Sequence, residues 1–319
     1  MQPEAGRIRV GISACLLGHH VRYNGGHKRD ALLVETFGPF VEWVPVCPEV
    51  ELGLGTPRPT LRLKRHGGDL RLIMPSTGAD YTAAMRAYAK RRVAKLRTDD
   101  LCCYILKQDS PSCGMERVKV YGVRNVPSNS GRGVFAAALL QRFPHMPIEE
   151  EGRLNDPRRR DNFIERVFAY RGLRSLFRAH WTVGGLVAFH GAHRLQLLAH
   201  SPTAYERLGR SLAGAKTRPR AALRDDYEAQ FMSALDIPAT PKRHANVLQH
   251  IAGYFKKQLD DDSRHELLSL IDDYRRGLVP LIVPVTLVGH YVHRFEVSYL
   301  KGQTYLEPQP KELMLRKHV

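Results

Sequence analysis

The sequence has few acidic residues, few cysteines and no long apolar run, and each shortage excludes a class of protein. No stretch approaches the roughly 18 consecutive apolar residues of a membrane-spanning helix, so we expect no membrane partner. Residues 1–9 contain no apolar segment of the kind found in secretory signals, which favours a soluble, cytoplasmic protein. In that setting we do not expect the five cysteines to form structural disulfides. Buried thiols, catalytic thiols and metal ligands are the alternatives.

The shortage of acidic residues leaves a large positive charge. The chain has 49 Lys and Arg against 32 Asp and Glu, a formal net charge of +17, and both halves share the excess. A charge of this size favours a polyanionic partner, above all nucleic acid, over a protein that happens to be basic.

The glycines do not form a dinucleotide-binding pattern. The loop at 52–59 holds two glycines and two prolines, but it lacks the strand, three spaced glycines and helix that such a site needs. We therefore expect neither a nicotinamide nor a flavin cofactor.

Apolar periodicity predicts two domains. Strands are expected at 8–13, 40–46, 69–74, 101–106 and 146–148, and helices at 30–37, 81–97 and 133–142. This alternation predicts an α/β domain at 1–152, with a mostly parallel, Rossmann-like sheet flanked by helices. A helical connector at 153–182 leads to an all-α domain at 183–319. The helices of that domain are expected at 183–199, 201–213, 219–235, 240–259, 263–276 and 280–297.

Three of the cysteines directly follow predicted strands. Cys15, Cys47 and Cys113 would meet in one crevice if their strands are neighbours, because ligands bind at the carboxyl ends of parallel strands. The sequence has no CxxC pair. Three distant thiolates fit an iron–sulfur cluster with one open iron, or a zinc site with one exchangeable position. Paired redox thiols are an equal alternative. Of Cys102 and Cys103, at least one is expected to pack in the core.

Polar residues beside these cysteines favour an enzyme. Glu49 lies two residues after Cys47, where its carboxylate can act as a general acid or base. Ser110 and Ser112 flank a proline just before Cys113, where they can bind substrate or water, although the segment can also be a plain turn. The glycine-rich loop after the first strand is a candidate substrate-binding segment through Arg22, Tyr23 and Asn24.

Together these segments resemble the thiouracil desulfidase family. They read SACLLG at 13–18, RYNG at 22–25, CPE at 47–49, GLGTPR at 53–58 and SPSCG at 110–114. The resemblance covers roughly residues 7–150. Segments of the second half resemble the helical domain fused to many such desulfidases, and this fused form resembles bacterial tRNA 4-thiouridine desulfidases. Those segments lie at 190–201, 248–257, 279–284 and 303–308.

The resemblance implies a cofactor and a reaction. A [4Fe-4S] cluster would be held by Cys15, Cys47 and Cys113, and its fourth iron would bind the sulfur of the substrate. Glu49, with Ser110 or Ser112, would assist a non-redox hydrolysis of thiolated uridine to uridine and hydrogen sulfide. Desulfidation of free thiouracil or 4-thiouridine monophosphate is a second possibility. A non-catalytic nucleic-acid-binding protein that contains a metal or cluster is a third.

If the chain acts on thiolated uridine in tRNA, its positive charge would serve to bind the tRNA. Basic side chains would neutralise RNA phosphates, and the helical domain would clamp the tRNA. The candidate tRNA contacts are Arg86, Lys90, Arg91, Arg92, Lys95, Arg158, Arg159, Arg160, Lys216, Arg218, Lys256 and Lys257.

Overall fold

The chain forms two compact units, Met1–Asn155 and Asp156–Val319. The structure is a computed structural model that describes residues 7–122, 124–178, 180–310, 313 and 316. Within those residues, no helix is both long and apolar enough to cross a membrane.

The first unit contains eight strands and three α-helices in its described residues. The helices are α1 (Pro48–Glu51), α2 (Thr82–Leu96) and α3 (Val134–Arg142). The strands are β1 (Ile8–Ser13), β2 (Val41–Val46), β3 (Arg62–His66), β4 (Asp69–Ile73), β5 (Cys103–Leu106), β6 (Val118–Tyr121), β7 (Pro127–Gly131) and β8 (Ile148–Glu150).

A parallel four-stranded sheet with the order β2-β1-β5-β8 forms the core of this unit. Val10 on the central strand β1 is paired with Trp43 of β2 and Cys103 of β5. Val10 and Ile12 are fully buried, as expected for a strand covered on both faces. Helices α2 and α3 pack against each other. The prediction of a mostly parallel sheet flanked by helices is confirmed.

A second sheet, with the order β4-β3-β6-β7, was not predicted. The strand expected at 69–74 is β4, which pairs antiparallel with β3 in a hairpin instead of joining the parallel sheet. The sequence signal was weak because β3 buries only Leu63 among its five residues. Similarly, β7 buries only Gly131.

Two boundaries near the cysteines also differ from the prediction. Cys102 lies just before β5, and only Cys103 lies within it. The last strand runs over Ile148–Glu150 and not 146–148, since Ile148 and Glu150 are paired with residues of β5. The shift buries Glu149 and Glu150, whose charge hid the strand from a hydrophobicity pattern.

The second unit is helical. Buried side chains of α9 (Pro241–Ala252), α10 (Asp261–Arg275) and α11 (Ile282–Arg294), among them Leu248, Ile271 and Val288, form its hydrophobic core. The segment 157–178, predicted as part of a connector, forms α4 (Pro157–Arg178), which packs against α8 (Arg220–Asp236) of this unit. The helix expected at 183–199 is divided at His193. The helices are α4 (Pro157–Arg178), α5 (Val183–Ala192), α6 (Arg194–His200), α7 (Pro202–Ala213), α8 (Arg220–Asp236), α9 (Pro241–Ala252), α10 (Asp261–Arg275), α11 (Ile282–Arg294) and α12 (Ser298–Lys301).

Candidate active site

The fold brings the three strand-end cysteines to one edge of the parallel sheet. Cys15 lies in a 3-10 turn that directly follows β1. Cys47 is the N-cap residue of α1, immediately after β2. Cys113 lies in the loop that follows β5. Because β1 is hydrogen-bonded to both β2 and β5, the three strands are adjacent and their carboxyl ends point to the same side.

All three cysteines line one cavity of about 440 Å³. A cavity of this size is typical of small-molecule sites. Cys15 and Cys113 are buried, and Cys47 is partly exposed. Cys103 is fully buried within β5 and does not line this cavity, which agrees with packing in the core.

The environment of the thiols disfavours free thiolates. Burial, followed by the proximity of Cys47, raises the pKa of Cys15 to about 11. Burial also raises the pKa of Cys47. The pKa of Cys113 lies well above its usual value because of burial and the nearby Cys47, Glu49 and Cys15. Three thiolates at this site therefore need a bound cation to offset desolvation and mutual repulsion.

The three cysteines offer an all-sulfur donor set, which suits iron–sulfur chemistry. Within the part of the chain that the structure describes, no group of three His, Cys, Asp or Glu side chains is placed to hold a single metal ion.

Glu49 is held at the cavity by two buried donors. The guanidinium of Arg58 donates from Nε to Oε2 of Glu49 at 2.9 Å, and its Nη2 lies 2.8 Å from the same oxygen. Ser112 donates from Oγ to the other oxygen, Oε1, at 2.9 Å. The backbone carbonyls of Val21 and Gly55 accept further hydrogen bonds from Arg58 and fix the guanidinium. The carboxylate consequently has a fixed position beside the thiols.

The two serines have different positions. Ser110 lines the cavity, and its Oγ accepts hydrogen bonds from the backbone N–H of Ser112 and of Cys113, at 3.2 Å and 3.1 Å. It therefore stabilises the turn that carries Cys113. Ser112 is fully buried and contacts the site through Glu49. Sequence reasoning could not separate these two positions.

The loop at the mouth of the cavity contributes part of the predicted substrate-binding set. Arg22 and Tyr23 line the cavity, and the Arg22 guanidinium lies 5.5 Å from the centroid of the Tyr23 ring. Tyr23 is 42% exposed, an unusual position for a large aromatic side chain. Asn24 does not line the cavity; its Oδ1 accepts the Gly26 N–H at 3.2 Å and shapes the loop. Lys28, which was not predicted, joins the lining.

Known protein families match both halves of this chain. A family model described as 2-thiouracil desulfurase matches residues 10–151, and one described as a protein of unknown function (DUF1722) matches residues 194–310. The uncharacterized protein YbgA of Escherichia coli is 36% identical over 160 residues, which are 49% of this chain and 93% of that protein. The chain belongs to the 2-thiouracil desulfurase family, in a form fused to a DUF1722 domain.

Two further relatives match about half of the chain. The uncharacterized protein YbbK of Bacillus subtilis is 31% identical over 150 residues, which are 46% of this chain and 97% of that protein. A solved structure described as the [4Fe-4S]-dependent thiouracil desulfidase TudS is 31% identical, with a TM-score of 0.39. The match covers 47% of this chain and 95% of that structure.

The sequence analysis missed an ion pair at the edge of the cavity that the three cysteines line. Lys107 lines the cavity, and its Nζ pairs with Glu151 just after β8. Glu151 also accepts the backbone N–H of Gln108 at 2.8 Å, and Ser13 Oγ accepts that of Lys107 at 2.9 Å. The rule that located the cysteines could have found Glu151, since it too follows a parallel strand of this sheet.

The candidate tRNA contacts differ in their availability. Arg92 pairs with Glu51 at 3.0 Å and lies 3.6 Å from Asp99, and Arg218 pairs with Asp226 at 2.9 Å. These two cations therefore have structural partners. Arg160 is half-buried. The exposed members of the set are Arg86, Lys90, Arg91, Lys95, Arg158, Arg159, Lys216, Lys256 and Lys257.

Proposed function

We propose that this chain is a tRNA 4-thiouridine desulfidase, which converts thiolated uridine in tRNA to uridine and hydrogen sulfide by hydrolysis. The observation that carries this proposal is the shared cavity. Three thiols and the Glu49 carboxylate line one cavity, and Arg58 and Ser112 hold that carboxylate in place. A binding protein without catalysis has no evident use for a carboxylate positioned in this way.

We assign a [4Fe-4S] cluster to Cys15, Cys47 and Cys113. Support comes from the all-sulfur donor set that lines the cavity and from the dependence on such a cluster that is named for a thiouracil desulfidase 31% identical to this chain. When bound, the cluster supplies an iron without a cysteine ligand, a Lewis acid suited to the soft sulfur of a thiocarbonyl group.

The side chains of this chain supply the remaining chemistry. Glu49 accepts a proton from a water molecule as that water attacks C4 of the base. Arg58 and Ser112 keep the carboxylate in place during the attack, which lowers the entropic cost of reaching the reactive geometry. The C4–S bond breaks, sulfur leaves as hydrosulfide, and the proton taken from water balances the products. No electrons are exchanged, so the reaction needs no redox partner.

A tRNA substrate accounts for features that a free base does not. The formal net charge of +17 suits a polyanion, whereas a free thiolated base carries no phosphate. A target base in folded tRNA would have to leave its stack, at a cost of about a few kcal/mol. The helical unit, with its exposed Arg158, Arg159, Lys256 and Lys257, would hold the RNA. A tRNA substrate also accords with our expectation of a cytoplasmic protein.

Desulfidation of a free base or nucleotide is the second candidate. It is favoured by the name thiouracil desulfidase of the related solved structure. The cavity of about 440 Å³ would also accept a nucleobase without any RNA attached.

The test compares substrates on one preparation. The full chain is reconstituted with iron and sulfide without oxygen, then offered thiolated tRNA, 4-thiouridine 5′-monophosphate and 2-thiouracil. We expect loss of the thiolated-base absorbance and equimolar sulfide release, fastest on tRNA. Cys113→Ala should be inactive, and Cys102→Ser is the matched control outside the cavity. Turnover of the small substrates alone would favour the second candidate. No turnover of any substrate by the iron-loaded protein would leave only a binding role.

A further inference from the structure

The outer face of the second sheet is strongly basic. Alternation along the strands turns Leu63, Leu72 and Val120 toward the interior, where all three are buried. Their neighbours along each strand point to the opposite face of the sheet, because successive side chains of a strand lie on opposite sides. This face carries His66, Asp69 and Ile73 near its ends, and Arg62, Lys64, Arg71, Lys119 and Tyr121, and we call these last five residues the basic sheet face.

Pairing across the strands places these cations next to one another. Lys64 lies opposite Arg71 of β4 and is paired on its other side with Tyr121 of β6. Neighbouring strands are about 4.8 Å apart, and like charges directly opposite each other destabilise a sheet. A bound polyanion would remove this repulsion.

The cations of the basic sheet face are largely available. Lys64 and Lys119 are exposed, and neither forms an ion pair within the described part of the chain. Arg62 is exposed and lies over the ring of Tyr121, 4.7 Å from its centroid. Among the described residues, Asp80 pairs with Arg71 at 3.4 Å and is the one acidic partner of this set. The face therefore offers a cluster of cations beside one half-buried aromatic ring.

The basic sheet face follows directly in the sequence after residues that line the cavity of the three cysteines. Arg58, Thr60 and Leu61 line that cavity, and β3 begins at the next residue, Arg62. Arg58 holds the carboxylate of Glu49, so one short segment joins the partner of the proposed general base to the first of the exposed cations.

We propose that the basic sheet face binds the phosphodiester backbone of the RNA whose thiolated base enters the cavity. Cations that lack carboxylate partners, grouped around an aromatic ring, match the chemistry of a ribonucleic acid backbone and its neighbouring bases. Because the face begins at the residue after the cavity lining, it can bind nucleotides flanking the target. This inference rests on the proposed function for the identity of the substrate.

The test measures binding of unmodified tRNA, which requires no turnover. The variants Lys64→Glu and Lys119→Glu are made singly and together in the full chain. Arg142→Glu, at the exposed end of α3, is the matched control for each single variant, with the same change of charge. Each lost phosphate contact should make the negative slope of log K against log salt shallower by about 0.9. It should also weaken the affinity for tRNA near 0.1 M salt by up to about eightfold. We expect the double variant to bind at least about tenfold more weakly, with a shallower slope.

The outcomes separate this inference from the proposed function. Thermal unfolding first establishes that each variant is folded. An affinity and salt slope of the double variant equal to those of Arg142→Glu would overturn the basic sheet face as an RNA-binding surface, even if thiolated tRNA is turned over. Weaker binding by either single variant than by Arg142→Glu would support the face even if no thiolated substrate is desulfidated. An unchanged affinity for tRNA together with a lost affinity for an acidic protein would also overturn it.

Discussion

Replacing Ser112 by alanine should impair catalysis without removing the cofactor. Ser112 Oγ donates to the Glu49 carboxylate at 2.9 Å, and its side chain is fully buried. A hydrogen bond to a charged group contributes about 1.5–3 kcal/mol. If that energy holds the carboxylate in its reactive position, kcat/KM should fall roughly tenfold to a hundredfold, since about 1.4 kcal/mol corresponds to a factor of ten.

The assay compares the two serines of the turn. Ser112→Ala and Ser110→Ala are loaded with iron and sulfide, and sulfide release from 4-thiouridine 5′-monophosphate is divided by the cluster content. Ser110 Oγ caps the backbone N–H of Ser112 and Cys113, and loss of such a cap costs about 0.5–2 kcal/mol of local stability. Ser110→Ala should therefore lower cluster retention more than Ser112→Ala, while its activity per cluster falls less.

The reasoning would be refuted by the opposite pattern. Wild-type activity per cluster in Ser112→Ala would mean that the hydrogen bond to Glu49 does not position a catalytic group. A cluster that stays intact while activity disappears in Ser110→Ala alone would instead make Ser110 the serine that acts on substrate. A Ser112→Thr variant, which keeps the hydroxyl, should recover part of the activity.

Three further predictions concern the cysteine ligands of the cluster, the ion pair between Arg58 and Glu49, and the dependence of stability on pH. Cys113→Ala should lose the visible absorbance of the cluster and the activity together, and activity without cluster would contradict the assignment. Arg58→Lys should lower kcat more than tenfold at unchanged iron content, because one ammonium cannot replace both guanidinium donors to Glu49. Burial lowers the pKa of His193 to about 4, and burial with the nearby Arg316 cation lowers that of His244 to about 3. Below about pH 6.5 these histidines bind protons in the unfolded chain but not in the folded one. The free energy of unfolding therefore decreases as the pH is lowered, by about 1.4 kcal/mol per histidine at about pH 5.5. Urea titrations at several pH values test this, and a flat profile between pH 7 and 5 would contradict it.

Much of the fold was predictable because burial leaves a pattern in the sequence. β1, with Val10 and Ile12, is an apolar run, since both of its faces are covered. The helices of the second unit show helical spacing, and most of their positions were predicted within a few residues. The exceptions have physical causes. His193 ends α5 and its Nδ1 lies 2.9 Å from the carbonyl of Phe189, a local interaction that no hydrophobic pattern reveals.

The second sheet escaped prediction for the opposite reason. Its strands bury one face only partly and carry charges on the other, so β3 shows a single buried residue, Leu63. The pairing of β3 with β6 is parallel and joins segments more than fifty residues apart. Such long-range pairing depends on tertiary packing and leaves no local trace.

The sequence by itself supplied the candidate residues of the site and left an iron–sulfur cluster, a zinc ion and paired redox thiols as alternatives for its three cysteines. Three cysteines after three strands, one glutamate and two serines were identified from residue type and position alone, because the carboxyl ends of parallel strands meet. Only the tertiary structure decided how these groups relate to one another. It pairs Glu49 with Arg58 and Ser112, and it assigns Ser110 to the turn that carries Cys113. Contacts between distant segments depend on distances in space, and residue order along the chain does not contain those distances.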